Sequence, residues 1–195
     1  MLIMDSKELL AQCRAGDRAA VDQLVQEYQP QLFRLAFSLL DDGSQDGSAD
    51  AQEVTQDALL AALSSLDSYR GEARLSTWLY SITVNLCRNH IRARQRRERV
   101  RNLFERLTTP IEDAPSQPED VIIRKQTDFS LFSIVQSLNE KHRLPVILRY
   151  YHDCSVAEIA QILDIPEGTV HSRLNSARKK VRNCLESEKN KESGL

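Results

Sequence analysis

Val54, Ala58, Leu59, Ala62, Leu63 and Leu66 stand at i, i+4, i+5, i+8, i+9 and i+12, the spacing of one helix face. No stretch alternates apolar and polar residues for long enough to make a strand. The same helical period recurs along the chain and predicts an all-α protein. Asp5 and Glu8 have capping-box spacing for a first helix that ends at Gly16, and Asp17 can cap the next. There Val21, Leu24, Val25 and Tyr28 share a face, Pro30 is expected to break or kink the run, and Leu32, Leu35, Ala36 and Leu39 continue the stripe. Residues 41–50, rich in Gly, Ser and Asp, read as an exposed loop. A long helix should begin near Ser76 or Thr77 and run past Arg97. Its inward residues are Leu79, Ile82, Leu86 and Cys87, and Ser81, Asn85, Arg88, Asn89, Arg92 and Arg96 line an outer face.

Residues 108–128, TTPIEDAPSQPEDVIIRKQTD, hold three prolines and five acids with little periodicity, the composition of a flexible acidic linker. The chain therefore divides into two small helical domains, 1–107 and 129–186, with a disordered tail at 187–195. The net charge of −2 conceals a strong asymmetry. Residues 1–60 carry four Lys and Arg against eleven Asp and Glu, whereas residues 88–106 carry eight against two. A second basic block, 165–185, has five against one. Two basic blocks in an acidic frame suit a polyanion held at two separate places, with acidic surface left for another partner.

Other function classes are poorly served. No apolar run approaches the roughly 18 residues of a membrane span, and the amino terminus lacks the charged-then-apolar pattern of an export signal. No membrane insertion is expected, and a cytoplasmic setting follows. Cys13, Cys87, Cys154 and Cys184 are scattered, without C-x-x-C spacing, and read as reduced thiols. His90 near Cys87 and His152 near Cys154 have no second pair at zinc-finger spacing, so no metal and no cofactor is expected. Phosphate-loop, dinucleotide and nucleophile-elbow motifs are missing, and the chain is read as not an enzyme.

Ser155 and Glu158 form a capping box opening a short helix with Val156, Ile159, Ala160 and Leu163 apolar. Asp164 can adopt the left-handed turn conformation and Pro166 suits the first turn of a new helix. That helix buries Val170, Leu174, Ala177 and Val181, and opposite them lie His171, Ser172, Asn175, Arg178, Lys179 and Arg182. The arrangement is a helix-turn-helix whose second helix fits a major groove.

The stretches DAQEVTQDALLAAL (50–63), YRGEARLSTWLYSITVNLCRNHIRARQRR (69–97) and LNEKHRLPVILRYYHDCSVAEIAQILDIPEGTVHSRLNSARKKV, in that order, resemble the extracytoplasmic-function sigma factors of bacterial RNA polymerase. The resemblance covers nearly the whole chain. It implies a first domain that binds core polymerase and recognises and melts the −10 element, and a second that recognises the −35 element. Asp50, Glu53, Gln56 and Asp57 would dock on the β′ clamp helices, with the β flap as a further contact. Tyr69, Arg70, Arg74, Trp78 and Asn85 would meet unpaired −10 bases, although Trp78 also suits a core. Arg88, Asn89 and Arg92 would hold backbone. His171, Ser172, Arg173, Asn175 and Ser176 would read −35 bases, and Arg178, Lys179 and Arg182 would hold phosphates. The sequence departs from the commoner pattern at His171, usually Lys or Arg, at Ser176, often basic, and at Asp164, usually Gly. Restraint by an anti-sigma factor is frequent in the family. The alternative reading is a stand-alone helix-turn-helix transcriptional regulator whose first domain senses a ligand or dimerises.

Overall fold

The computed structural model describes residues 6–41, 47–108 and 131–192, with side chains described over 8–41, 47–104 and 131–187. The elements are α1 (Ser6–Arg14), α2 (Arg18–Leu40), α3 (Gly47–Ser64), a 3-10 turn (Leu66–Ser68), α4 (Leu75–Thr108), α5 (Leu131–Ser137), α6 (Glu140–Tyr150), α7 (Val156–Leu163) and α8 (Glu167–Glu192). All regular structure among the described residues is helical. Asp5 and, beyond Thr108, the acidic linker lie outside the described residues.

Local chemistry sets the boundaries. Gly16, at φ +81°, turns the chain out of α1, and Asp17 Oδ1 then accepts the Ala19 N–H at 2.9 Å to cap α2. Of the expected break or kink at Pro30, the break does not occur, and α2 runs through it. Leu24, Tyr28, Leu32, Leu35 and Leu39 are buried on both sides of it, and burying that continuous stripe offsets the roughly 3 kcal/mol an interior proline costs. Of the expected 41–50 loop, residues 42–46 lie outside the described residues and residues 47–50 are helical, because α3 already begins at Gly47. A Cβ there would stand 3.2 Å from Asp41 Oδ1, so glycine lets the two helix ends approach. At the other end of the chain α8 runs on to Glu192, so the expected disordered tail is helical for residues 187–192.

In the first half α2, α3 and α4 pack on one another, with α1 against α2. Leu32, Leu35, Ala36, Ala51, Ala58, Leu79 and Val84 are completely enclosed. Cys87 is buried as expected, whereas Ile82 and Leu86 are only half-buried and Tyr80, Thr83 and Val84 take the interior positions. In the second half Ile147, Leu148, Ile159, Val170 and Ala177 are wholly enclosed where α6, α7 and α8 meet.

The two halves pack directly on each other. Helix α4 lies against α7 and α2 against α6, and their buried apolar residues form one continuous cluster. Polar groups stitch the seam. Gln136 Nε2 donates to the Ser38 carbonyl at 2.8 Å, and Ser38 Oγ stands 3.2 Å from His152 Nε2.

Candidate nucleic-acid interface

The capping box opening α7 is present in full. Ser155 Oγ accepts the Glu158 N–H at 3.2 Å, and Glu158 Oε2 accepts the Ser155 N–H at 2.8 Å. The Ser155 N–H, with the Ser155 hydroxyl beside it, holds the Glu158 carboxyl below its ordinary range. Asp164 closes the helix at φ +52°, in the left-handed region, with its N–H on the Ala160 and Gln161 carbonyls. Pro166 stands immediately before α8, where its carbonyl accepts from Thr169 and Val170 at 2.9 and 3.2 Å. This turn seats Val170, Leu174 and Ala177 in the core and turns His171, Ser172, Asn175, Arg178, Lys179 and Arg182 to solvent. Arg173 and Ser176 are half-buried, so they sit at the edge of the exposed face and not on its crest.

Sequence reasoning missed Tyr150, the last residue of α6. Its hydroxyl accepts from Arg178 Nε at 2.9 Å, and the guanidinium carbon lies 5.9 Å from its ring centroid. No one-dimensional signal links positions 28 residues apart.

The second basic face lies on α4. Asn85, Asn89 and Arg92 are exposed as expected, and Asn89, Arg92 and Arg96 line an open groove with Gln95 and Arg99. In the preceding loop the Tyr69 hydroxyl donates to the Ala73 carbonyl at 2.6 Å, and the Tyr69 ring centroid lies 5.2 Å from that of Trp78. Trp78 is half-buried, between the two roles proposed for it. Arg14, which sequence reasoning also missed, anchors this loop from α1 through the Leu66 carbonyl at 3.0 Å and the Tyr69 carbonyl at 2.7 Å. Tyr69, Arg70, Thr77, Trp78 and Ser81 line a cleft of about 230 Å³, and Gln161 of α7 closes its far side.

Two arginines of this face are engaged by the other half. Arg88 Nε meets Glu140 Oε1 at 2.9 Å, and Arg74 Nη1 meets Glu158 Oε1 at 3.3 Å. At the same seam the His152 ring stands edge-on to Tyr80 with centroids 5.7 Å apart. Burial, reinforced by Arg34, pushes the His152 pKa down to about 4, so the ring is neutral at neutral pH.

On α3 Glu53, Gln56 and Asp57 are exposed, one acidic face as expected. Asp50 instead turns toward α4, with His90 Nε2 at 3.7 Å and Arg94 at 4.0 Å. Asp50, Glu53 and His90 bring one ligand atom each within 4.8 Å of one another, and Arg94 supplies a cation to the same carboxylate. The network ties the start of α3 to the middle of α4. All four cysteines are unpaired. Burial pushes the Cys87 and Cys154 thiols up to about 12, which keeps both protonated and weakly nucleophilic.

Residues 24–97 match the sigma-70 region 2 family and residues 129–181 the sigma-70 region 4 family. The RNA polymerase sigma-H factor of Pseudomonas aeruginosa is 30% identical over 92% of this chain and 93% of its own length. The ECF RNA polymerase sigma-E factor of Escherichia coli K12 is 32% identical over 91% and 93%. This chain is an extracytoplasmic-function sigma factor. Among solved structures, the Bartonella quintana sigma factor RpoE, in complex with the anti-sigma factor NepR, matches with a TM-score of 0.57 and 25% identity over 85% of this chain and 96% of that one. CnrH, in complex with the cytosolic domain of CnrY, shares the fold, with a TM-score of 0.63 and 23% identity over 92% and 96%.

The sigma factor binds core RNA polymerase and promoter DNA and directs promoter-specific initiation. The alternative of a stand-alone regulator falls, because both halves match sigma regions and whole-chain relatives are sigma factors. No helix among the described residues is long and apolar enough to cross a membrane.

Proposed function

We propose that residues 1–107 of the sigma factor dock on core polymerase and open the −10 element, that residues 129–186 read the −35 element, and that residues 108–128 join them. Glu53, Gln56 and Asp57 on the exposed side of α3, with Asp50 at its edge, meet the basic β′ clamp helices, and the second half meets the β flap. Tyr69, Arg70 and Trp78, which line the cleft, receive unpaired −10 bases together with Arg74 and Asn85 outside it, while Arg88, Asn89 and Arg92 hold backbone. On α8 His171, Ser172 and Asn175 reach −35 base edges with Arg173 and Ser176 beside them, and Arg178, Lys179 and Arg182 hold phosphates. The protein acts in the cytoplasm and supplies specificity and strand opening, and the polymerase supplies the chemistry.

One observation carries this reading best. The exposed basic faces of α4 and α8 stand on separate elements, and the exposed acids Glu53 and Asp57 stand on a third, α3. That is the distribution a protein needs to hold two stretches of DNA and one basic protein surface at once. The Bartonella quintana relative is solved with an anti-sigma factor, and the same kind of restraint is proposed for this chain. The deciding experiment is co-migration of the purified chain with bacterial core polymerase on gel filtration, without DNA. Stoichiometric binding that disappears in the Glu53→Lys/Asp57→Lys variant supports the docking face, and undiminished binding by that variant removes it.

A further inference from the structure

The Tyr150, Arg178 and Asn175 side chains form a chain of contacts on the groove-facing side of α8. Tyr150 receives Arg178 Nε at 2.9 Å and lies beneath the guanidinium, and Arg178 Nη1 donates to Asn175 Oδ1 at 3.2 Å. All three residues are exposed, so this contact chain lies on the surface and not within the core. Arg149, the neighbour of Tyr150, turns elsewhere and donates to the Cys154 carbonyl at 2.8 Å.

We propose that Tyr150 is a positioning residue for −35 specificity, acting through Arg178 to set which base edge Asn175 can read. The inference rests on the reading of α8 as the −35 face. An unconstrained asparagine reads adenine bidentately, its carbonyl oxygen accepting from N6 and its amide donating to N7. Here the Asn175 carbonyl oxygen already accepts from a cation that Tyr150 holds in place, so the side chain presents its amide N–H groups to the groove. A guanidinium beside that oxygen also disfavours the approach of another donor. The edge that fits is one offering acceptors, O6 and N7 of guanine or O4 of thymine, in place of the donor and acceptor pair of adenine. Tyr150 fixes this polarity because a free arginine would sweep many rotamers, and the phenol binds it by a hydrogen bond and by its ring face together.

The test is selection of promoters from a pool randomised at the −35 element, using holoenzyme assembled from the full chain and bacterial core polymerase. The wild type, Tyr150→Phe, Tyr150→Ala, Asn175→Ala and His171→Ala are compared. The wild type should prefer guanine or thymine at one position whose preference Asn175→Ala abolishes. Tyr150→Ala should shift the guanine-or-thymine to adenine ratio there toward adenine by about fivefold or more, and Tyr150→Phe, which keeps the ring and loses the hydroxyl, should shift it less. A structural role alone would lower affinity without changing the base chosen. The inference is overturned if the wild type prefers adenine at the Asn175-dependent position. It is equally overturned if Asn175→Ala alters that position and both Tyr150 variants select as the wild type does, an outcome that leaves the −35 face intact. If neither Asn175→Ala nor His171→Ala alters the selected sequence, the reading of α8 itself falls.

Discussion

Arg88 on α4 donates its Nε–H to the Glu140 carboxylate at the start of α6, 2.9 Å away, so an arginine proposed to hold −10 DNA backbone is held by a carboxylate of the opposite half. A DNA phosphate would draw on the same guanidinium that Glu140 already holds. A half-exposed pair of this kind is worth about 0.2–1 kcal/mol, which corresponds to a change of up to about fivefold in a two-state equilibrium. Glu140→Gln should shift the protein by that much toward an arrangement with the halves apart, read as a longer distance between fluorophores placed on α3 and α8. The exchange variant Arg88→Glu/Glu140→Arg should restore the wild-type distance, and failure to restore it would show that the pair does not hold the seam.

His152 makes the seam sensitive to acid. Its pKa falls from 6.5 to about 4 in the folded protein, so protonation favours any state in which the ring leaves its site between Tyr80 and Ser38. The contribution of the neutral ring is complete above pH 6.5 and declines as pH falls from 6.5 toward 4. Arg34 opposes the charged ring and Asp153 favours it, with burial the largest influence. Thermal melts of the wild type and His152→Gln across that range should differ in slope, the wild type losing more stability per pH unit. Parallel curves would mean that the ring is not buried in solution.

Ser155 caps α7, the helix packed against α8. Removing its hydroxyl leaves the Glu158 amide without a cap and ends the reciprocal box that starts α7. Ser155→Ala should destabilise the fold by about 1 kcal/mol, measured by urea titration. Ser155→Asp keeps an acceptor at the cap and should recover most of that loss.

Lys179 and Arg182 point to solvent from α8 and are proposed to hold phosphates. Either alanine variant should weaken −35 DNA binding for all sequences alike and reduce the slope of log K against log salt by about 0.9 per lost contact. An unchanged slope would take the residue out of the interface.

Asn85 is exposed on α4, one turn from Arg88, and is proposed to meet unpaired −10 bases. Asn85→Ala should impair strand opening, followed by permanganate reactivity of unpaired thymines, while leaving core polymerase binding unaltered. Equal loss of both would contradict a role in capturing opened bases.

The helices and the two basic faces were legible in sequence because helical periodicity and capping are local, decided by residues three or four positions apart. The Ser155 and Glu158 box, the left-handed Asp164 and the inward Val170, Leu174 and Ala177 needed nothing beyond their neighbours. Local rules left two outcomes open at Pro30, a break or a kink, and the buried stripe on either side excluded the break. They failed at residues 47–50, where polar composition suggested a loop and the chain is already helical, with Gly47 packed close to Asp41.

What the tertiary structure alone decided is which charges meet. Arg14 anchoring the loop at Tyr69, Arg88 on Glu140, Asp50 between His90 and Arg94, and Tyr150 under Arg178 all join residues between 28 and 55 positions apart. Side-chain charge and hydrogen-bonding capacity are written in the sequence, but attraction depends on separation in space. Folding sets that separation, and with it which arginines meet a carboxylate and which stand open to a phosphate.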